Sequence, residues 1–137
     1  DGFERLAARL AEVEDDDPVR RVRALAYAYR RAATDRPHLY QVMFACPVPE
    51  FTPTDEDAAL GTATLMRLRD AVTDALHTGA FDGDADTITT GLWAVVHGLT
   101  SLELGGSFNT EAGTHADQIW DTTITATLAG LCSRPTA

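Results

Sequence analysis

At 137 residues, with 45% hydrophobic and 23% charged side chains and a formal net charge of −10, the chain suits one domain with its own core. It is too apolar and too periodic for a disordered tail, and no run of about 18 apolar residues offers a membrane span. All 11 basic residues are Arg, against 21 Asp plus Glu, so the chain repels phosphates overall and is no stand-alone nucleic-acid binder.

The opening stretch, DGFERLAARL, lacks Met and a basic-then-apolar leader, so it reads as an internal portion of a longer polypeptide without a signal peptide. Cys46 and Cys132 stand far apart with no CxxC. That supports neither a disulfide framework nor a zinc site and points to a reducing cytoplasm.

In chain order, the apolar spacing predicts about six helices. In 3–14, Phe3, Leu6, Leu10 and Val13 form one stripe. Asp15, Asp16 and Asp17 run into Pro18, and Asp followed by Pro is a helix start: the carboxylate accepts orphan amides and proline has no amide to satisfy. The second helix spans about 18–35 and buries Val22, Leu25, Ala26, Tyr29 and Ala33. Pro37 opens a short third helix carrying Leu39, Tyr40, Met43 and Phe44. Pro47, Pro49 and Pro53 make 46–54 an extended loop. The fourth helix begins after Thr54, buries Leu65, Leu68, Val72 and Leu76, and closes at Gly79. Asp82 and Asp84 frame the start of the fifth, about 85–105, which Gly105 and Gly106 end. The sixth spans about 112–132. No segment alternates like a strand, so the chain reads as one all-α domain, a bundle of about six helices over 1–137.

The fifth helix carries the most information. Ile88, Leu92, Val95, Leu99 and Leu102 form one stripe, and Gly91, Ala94, Gly98, Ser101 and Gly105 form a second made only of small residues. Each glycine inside a helix costs roughly 1 kcal/mol relative to alanine, a cost offset where another backbone approaches closely. The sixth helix offers Ile119, Thr123, Ala126 and Gly130 at matching steps, with Trp120, Ile124, Leu128 and Leu131 left to anchor it. These two small-residue faces are expected to pair with their copies about a twofold axis, making a homodimer through a four-helix seam. The alternative is that both stripes pack within one subunit.

Catalytic constellations are missing. His38, His77, His97 and His115 show no paired metal spacing, and there is no phosphate loop or nucleophile elbow. No cofactor and no metal are expected. Asp15–Asp17 could suggest a magnesium cluster, but their place before Pro18 suits a helix cap better. Glu103, set among leucines, needs a partner if buried, and an Arg is the natural one.

The stretch LWAVVHGLTSLELGG, residues 92–106, resembles the Trp-His-Gly signature in the C-terminal domain of one branch of tetracycline-repressor-like (TetR) regulators. The matching positions are Trp93, His97 and Gly98, then Leu99 and the run Leu102, Glu103, Leu104. Residues 17–44 are similar to the branch's preceding helices at Asp17, Pro18, Tyr29, Pro37, Met43 and Phe44. The resemblance implies a domain that binds a small apolar or amphipathic effector and dimerises through its last two helices. DNA would be contacted only by an N-terminal helix-turn-helix domain outside this sequence, and 1–14 would be the linker helix. Alternatives are an all-helical enzyme or carrier for a hydrophobic molecule, and a purely structural dimerisation module.

A cavity for such an effector needs apolar walls and a few fixed polar groups. The candidates are Tyr29, Tyr40, Met43, Phe44, Leu65, Trp93 and His97. Each also has an ordinary reading as core, and His97 could equally donate across the dimer or sit as a satisfied interior histidine. Phe51 could cover a pocket mouth or belong to a loose surface loop. Neither cysteine has neighbours that would activate its thiol.

Overall fold

The computed structural model describes residues 2–45 and 55–133, with side chains described for 4–41 and 62–133. Within these limits the chain forms helices α1 (Gly2–Ala11), α2 (Pro18–Asp35), α3 (Pro37–Ala45), α4 (Asp55–His77), α5 (Ala85–Leu104) and α6 (Ala116–Leu131). A hairpin of strands β1 (Asn109–Thr110) and β2 (Gly113–Thr114) precedes α6. The all-α reading holds. The predicted extended loop at 46–54, with Phe51 and Cys46, lies outside the described residues.

Local chemistry fixes the helix ends. The Asp17 carboxylate accepts from the amides of Val19 and Arg20, both at 3.0 Å, with Pro18 in the first turn. Asp15 pairs with Arg20 at 3.2 Å, so the acidic triplet serves the helix start. Arg36, preceding Pro37, leaves helical geometry at φ −141° and separates α2 from α3. Gly79, at φ +80°, ends α4 in the left-handed conformation that side chains resist. At the end of α5 the Gly106 amide donates to the Glu103 carbonyl at 3.1 Å and the Ser107 amide to that of Leu102 at 2.9 Å. This is a Schellman closure, with Gly106 at φ +79°.

Helix α2 lies at the centre, packed against α1, α3, α4, α5 and α6, while α4 also packs on α1 and α5. Trp120, Ile124, Val22, Val72 and Thr100 are the largest side chains shut off from solvent. Thr100 spends its hydroxyl on the Val96 carbonyl at 2.8 Å, which makes its burial inexpensive. The end of α6 is tied to the α4–α5 connection by Ser133 donating to the Ala80 carbonyl at 3.0 Å, beside buried Phe81.

On α4 only Val72 of the expected stripe is buried, with Leu65, Leu68 and Leu76 half-buried, and three other boundary or facing expectations need correction. First, α1 ends at Ala11 rather than 14, although Leu6 and Leu10 are buried as expected. Second, α6 starts at Ala116 and not near 112, because the hairpin occupies 109–114. Third, the buried stripe of α5 runs through Ile88, Leu92, Val96 and Leu99; Val95 is only partly buried and Leu102 is 51% exposed.

Candidate functional site

An apolar cavity of about 310 Å³ opens between α1, α2, α4, α5 and α6. This volume sits at the lower end of small-molecule pockets, roughly 300–1,000 Å³. Leu6 and Leu10 give the α1 wall; Val22, Leu25, Ala26 and Tyr29 come from α2. Leu65 and Leu68 come from α4, Leu92, Trp93 and Val96 from α5, and Ile124 and Leu128 from α6. Polar groups are few: Arg23, Thr62, Thr64 and Thr127 also line it.

One corner carries a hydrogen-bonded aromatic cluster. The hydroxyls of Tyr29 and Tyr40 lie 2.6 Å apart, and His97 Nδ1 is 2.9 Å from Tyr40 and 3.4 Å from Tyr29. Either phenol can donate to the other, and an unprotonated Nδ1 accepts from a hydroxyl that reaches it. The Tyr29 and Tyr40 rings meet edge to face at 5.7 Å, and Trp93 tilts against His97 at 5.8 Å. Burial pushes the Tyr29 phenol up to about 12, with hydrogen bonds from Tyr40 and Trp93 opposing the rise. Burial also raises the Tyr40 phenol, and it lowers the His97 imidazole below its ordinary value. The cluster is therefore neutral at pH 7.

Of the seven residues expected to contact an effector, Tyr29, Leu65 and Trp93 line the cavity. Tyr40 and His97 stand behind Tyr29 and hold its hydroxyl, so they face the cluster rather than the hollow. Met43 and Phe44 belong to α3, and their side chains lie outside those described. The contribution of α1 was not visible in the sequence, where Leu6 and Leu10 read as ordinary stripe.

The small-residue faces are open in the single chain. Gly91, Ala94, Ser101 and Gly105 on α5 are exposed and Gly98 is half-buried; on α6, Ala126 and Gly130 are exposed and Ile119 and Thr123 half-buried. A β-carbon on Gly91, Gly98 or Gly130 would meet no atom within 4 Å. Neighbouring Trp93 and Leu102 are exposed large side chains, at 40% and 51%.

The Arg expected as a partner for Glu103 is Arg30, which the sequence did not single out. Arg30 of α2 grips it through two hydrogen bonds of 2.9 and 2.8 Å, and the Trp120 indole donates to the same carboxylate at 2.9 Å. The guanidinium lies 5.1 Å from the Trp120 ring centroid and also pairs with Asp117 at 2.9 Å. Among the described residues no group of His, Cys, Asp or Glu could hold a metal ion, and no helix is long and apolar enough to cross a membrane. Cys132 is an exposed free thiol.

The family model described as tetracyclin repressor-like, C-terminal domain, matches residues 22–127. No curated protein matches the chain. A solved structure of a protein with unknown function from Rhodococcus sp. RHA1 is similar at TM-score 0.81 and 26% identity, over 96% of this chain and 68% of its own. The crystal structure of SCO4313, a protein of suggested regulatory role, is similar at TM-score 0.73 and 22% identity, over 93% of this chain and 68% of its own.

Proposed function

We propose, from the premise that this chain belongs to the tetracyclin repressor-like C-terminal domains, that it is the effector-binding and dimerisation part of a transcriptional regulator. The observation that carries this reading is the apolar cavity whose walls include α1, the first helix of the chain. An effector seated against Leu6 and Leu10 acts on the helix that leads back toward a DNA-reading helix-turn-helix domain. Occupancy then biases the spacing of two such domains in a dimer, and a changed spacing no longer fits successive major grooves. The effector is small and largely apolar, as walls of Leu, Val and Ile require. Trp93, His97 and Gly98 are the residues on which we assign the chain to the branch with the Trp-His-Gly signature.

The open faces of α5 and α6 support a twofold seam. A surface that tolerates glycine at Gly91, Gly98 and Gly130 without any close neighbour in its own chain loses helix stability for nothing unless a second backbone meets it.

Thermal unfolding in the presence of a broad lipophilic panel tests the reading. A compound that binds only the folded chain raises its Tm by mass action. Leu65→Trp, which fills the cavity from a half-buried position, should abolish that rise while leaving the ligand-free Tm close to that of the parent. If no compound shifts the parent chain, or if Leu65→Trp responds equally, effector binding in this cavity is wrong.

A further inference from the structure

Resting on the effector-binding reading, we infer that the cavity selects an amphipathic anion: an apolar body with one carboxylate head, held by Arg23. Only two lining side chains of the cavity, Arg23 and Tyr29, are ionisable among the described residues. The Tyr29 phenol stays neutral, because its hydroxyl is committed to Tyr40 in a buried cluster. Arg23 is the permanent charge on a wall otherwise built of Leu, Val, Ile, Ala, Thr, Tyr29 and Trp93.

No carboxylate among the described residues is in direct contact with that charge. Among the described residues Arg23 forms no ion pair, and its hydrogen bond goes to a neutral group, the Thr125 hydroxyl of α6, at 3.1 Å. Asp121, one turn earlier on α6, is engaged by the Tyr27 hydroxyl. Arg9, Arg20, Arg21, Arg30 and Arg69 find carboxylates in Asp35, Asp15, Asp74, Glu103 and Asp86, and Arg23, which lines the cavity, is not among them. A guanidinium beside apolar walls gains more from an anionic oxygen than from a neutral one, since charge-assisted hydrogen bonds are roughly twice as strong as neutral ones. A planar carboxylate also suits its donor fork. A cationic head would be repelled, and a neutral one would leave the charge as it is. The repulsive field of the other acidic groups is screened over about 8 Å at physiological salt, so the local cation decides.

Calorimetric titration of the 137-residue chain with decanoate, decanol, decyl phosphate and decyltrimethylammonium tests this. Decanoate should bind about tenfold more tightly than decanol, the ammonium should bind weakest, and Arg23→Gln should erase the preference without weakening decanol. Arg23→Lys should restore part of it. The circular dichroism and ligand-free Tm of each variant establish that it is folded. Decanol binding as tightly as decanoate, or Arg23→Gln keeping the preference, overturns the head-group inference and leaves effector binding standing. Decyl phosphate alone binding tightly overturns the carboxylate in favour of a phosphate head. If no probe binds, both the inference and the effector reading fall.

Discussion

Arg30 on α2 and Glu103 on α5 are joined by two hydrogen bonds, 2.9 and 2.8 Å, with each side chain only 16% exposed. The Trp120 indole of α6 donates to the same carboxylate, so one acidic group ties three helices together. The guanidinium is held in its charged form chiefly by the hydrogen bond to Glu103.

Removing one member of this pair leaves the other charged and poorly solvated. Glu103→Ala should cost about 3 kcal/mol, the lower end of the range for broken buried pairs, because exposed Asp117 still partners Arg30. Equilibrium urea unfolding measures it, as a fall in midpoint at constant slope. A loss under about 0.5 kcal/mol would show the pair to be as weak as a surface one.

Glycine 98 separates fold from assembly. A β-carbon there meets nothing in its own chain, so Gly98→Leu should not destabilise the subunit and should recover close to 1 kcal/mol of helix propensity. The same change should weaken self-association by pushing a partner helix away. Sedimentation velocity beside thermal unfolding reads both effects. An unchanged association constant would remove Gly98 from the seam.

Stability should depend on pH through His97. Burial lowers its pKa in the folded chain below the unfolded value of 6.5, so the unfolded state binds the proton more readily. Its contribution is complete above pH 6.5 and is lost as pH falls toward the folded pKa. His97→Phe should flatten the slope of stability between about pH 6.5 and 5. An identical slope in the variant would assign the dependence to other groups.

Trp93 should behave as a cavity wall more than as core. It is 40% exposed while lining the cavity, whereas Trp120 is fully buried. Trp93→Ala should therefore destabilise by less than the roughly 3–5 kcal/mol of a core tryptophan, and should weaken a bound apolar probe several-fold. Trp120→Ala should show the reverse weighting. Unfolding curves and probe titrations on both variants discriminate the two roles.

Much of the architecture was legible because the chain carries local stop and start chemistry. Asp17–Pro18, Arg36–Pro37, Gly79 and the Gly105–Gly106 pair set boundaries that tertiary packing did not move. The hairpin at 109–114 was not legible, since two-residue strands are too short to show alternation. On α5 the expected steps of four and three through Val95 and Leu102 follow a seven-residue repeat. Burial also takes in Thr89, Val96 and Thr100, so the inward face is centred further round the helix than that stripe, and Val95 and Leu102 fall at or beyond its edge. The next position on that face is Glu103, which explains why an acid among leucines faces inward and Leu102 outward.

The cluster around His97 was half legible. Tyr29, Tyr40, Trp93 and His97 could be grouped as aromatic and polar candidates, but which of them face a hollow depends on how α1, α2, α4, α5 and α6 leave space unfilled. No residue type encodes an empty volume. Arg30 was likewise hidden, as a sequence states that Glu103 needs a cation and not which of the arginines reaches it.

The proposed effector site is the hollow bounded by α1, α2, α4, α5 and α6. Crystals of the chain grown with bromodecane, recorded for anomalous scattering, place the bromine directly. A peak is expected inside the cavity, among Leu10, Leu68, Leu92 and Ile124. A hollow without a peak, or bromine only on the outer face of α5 beside Leu102, would contradict it.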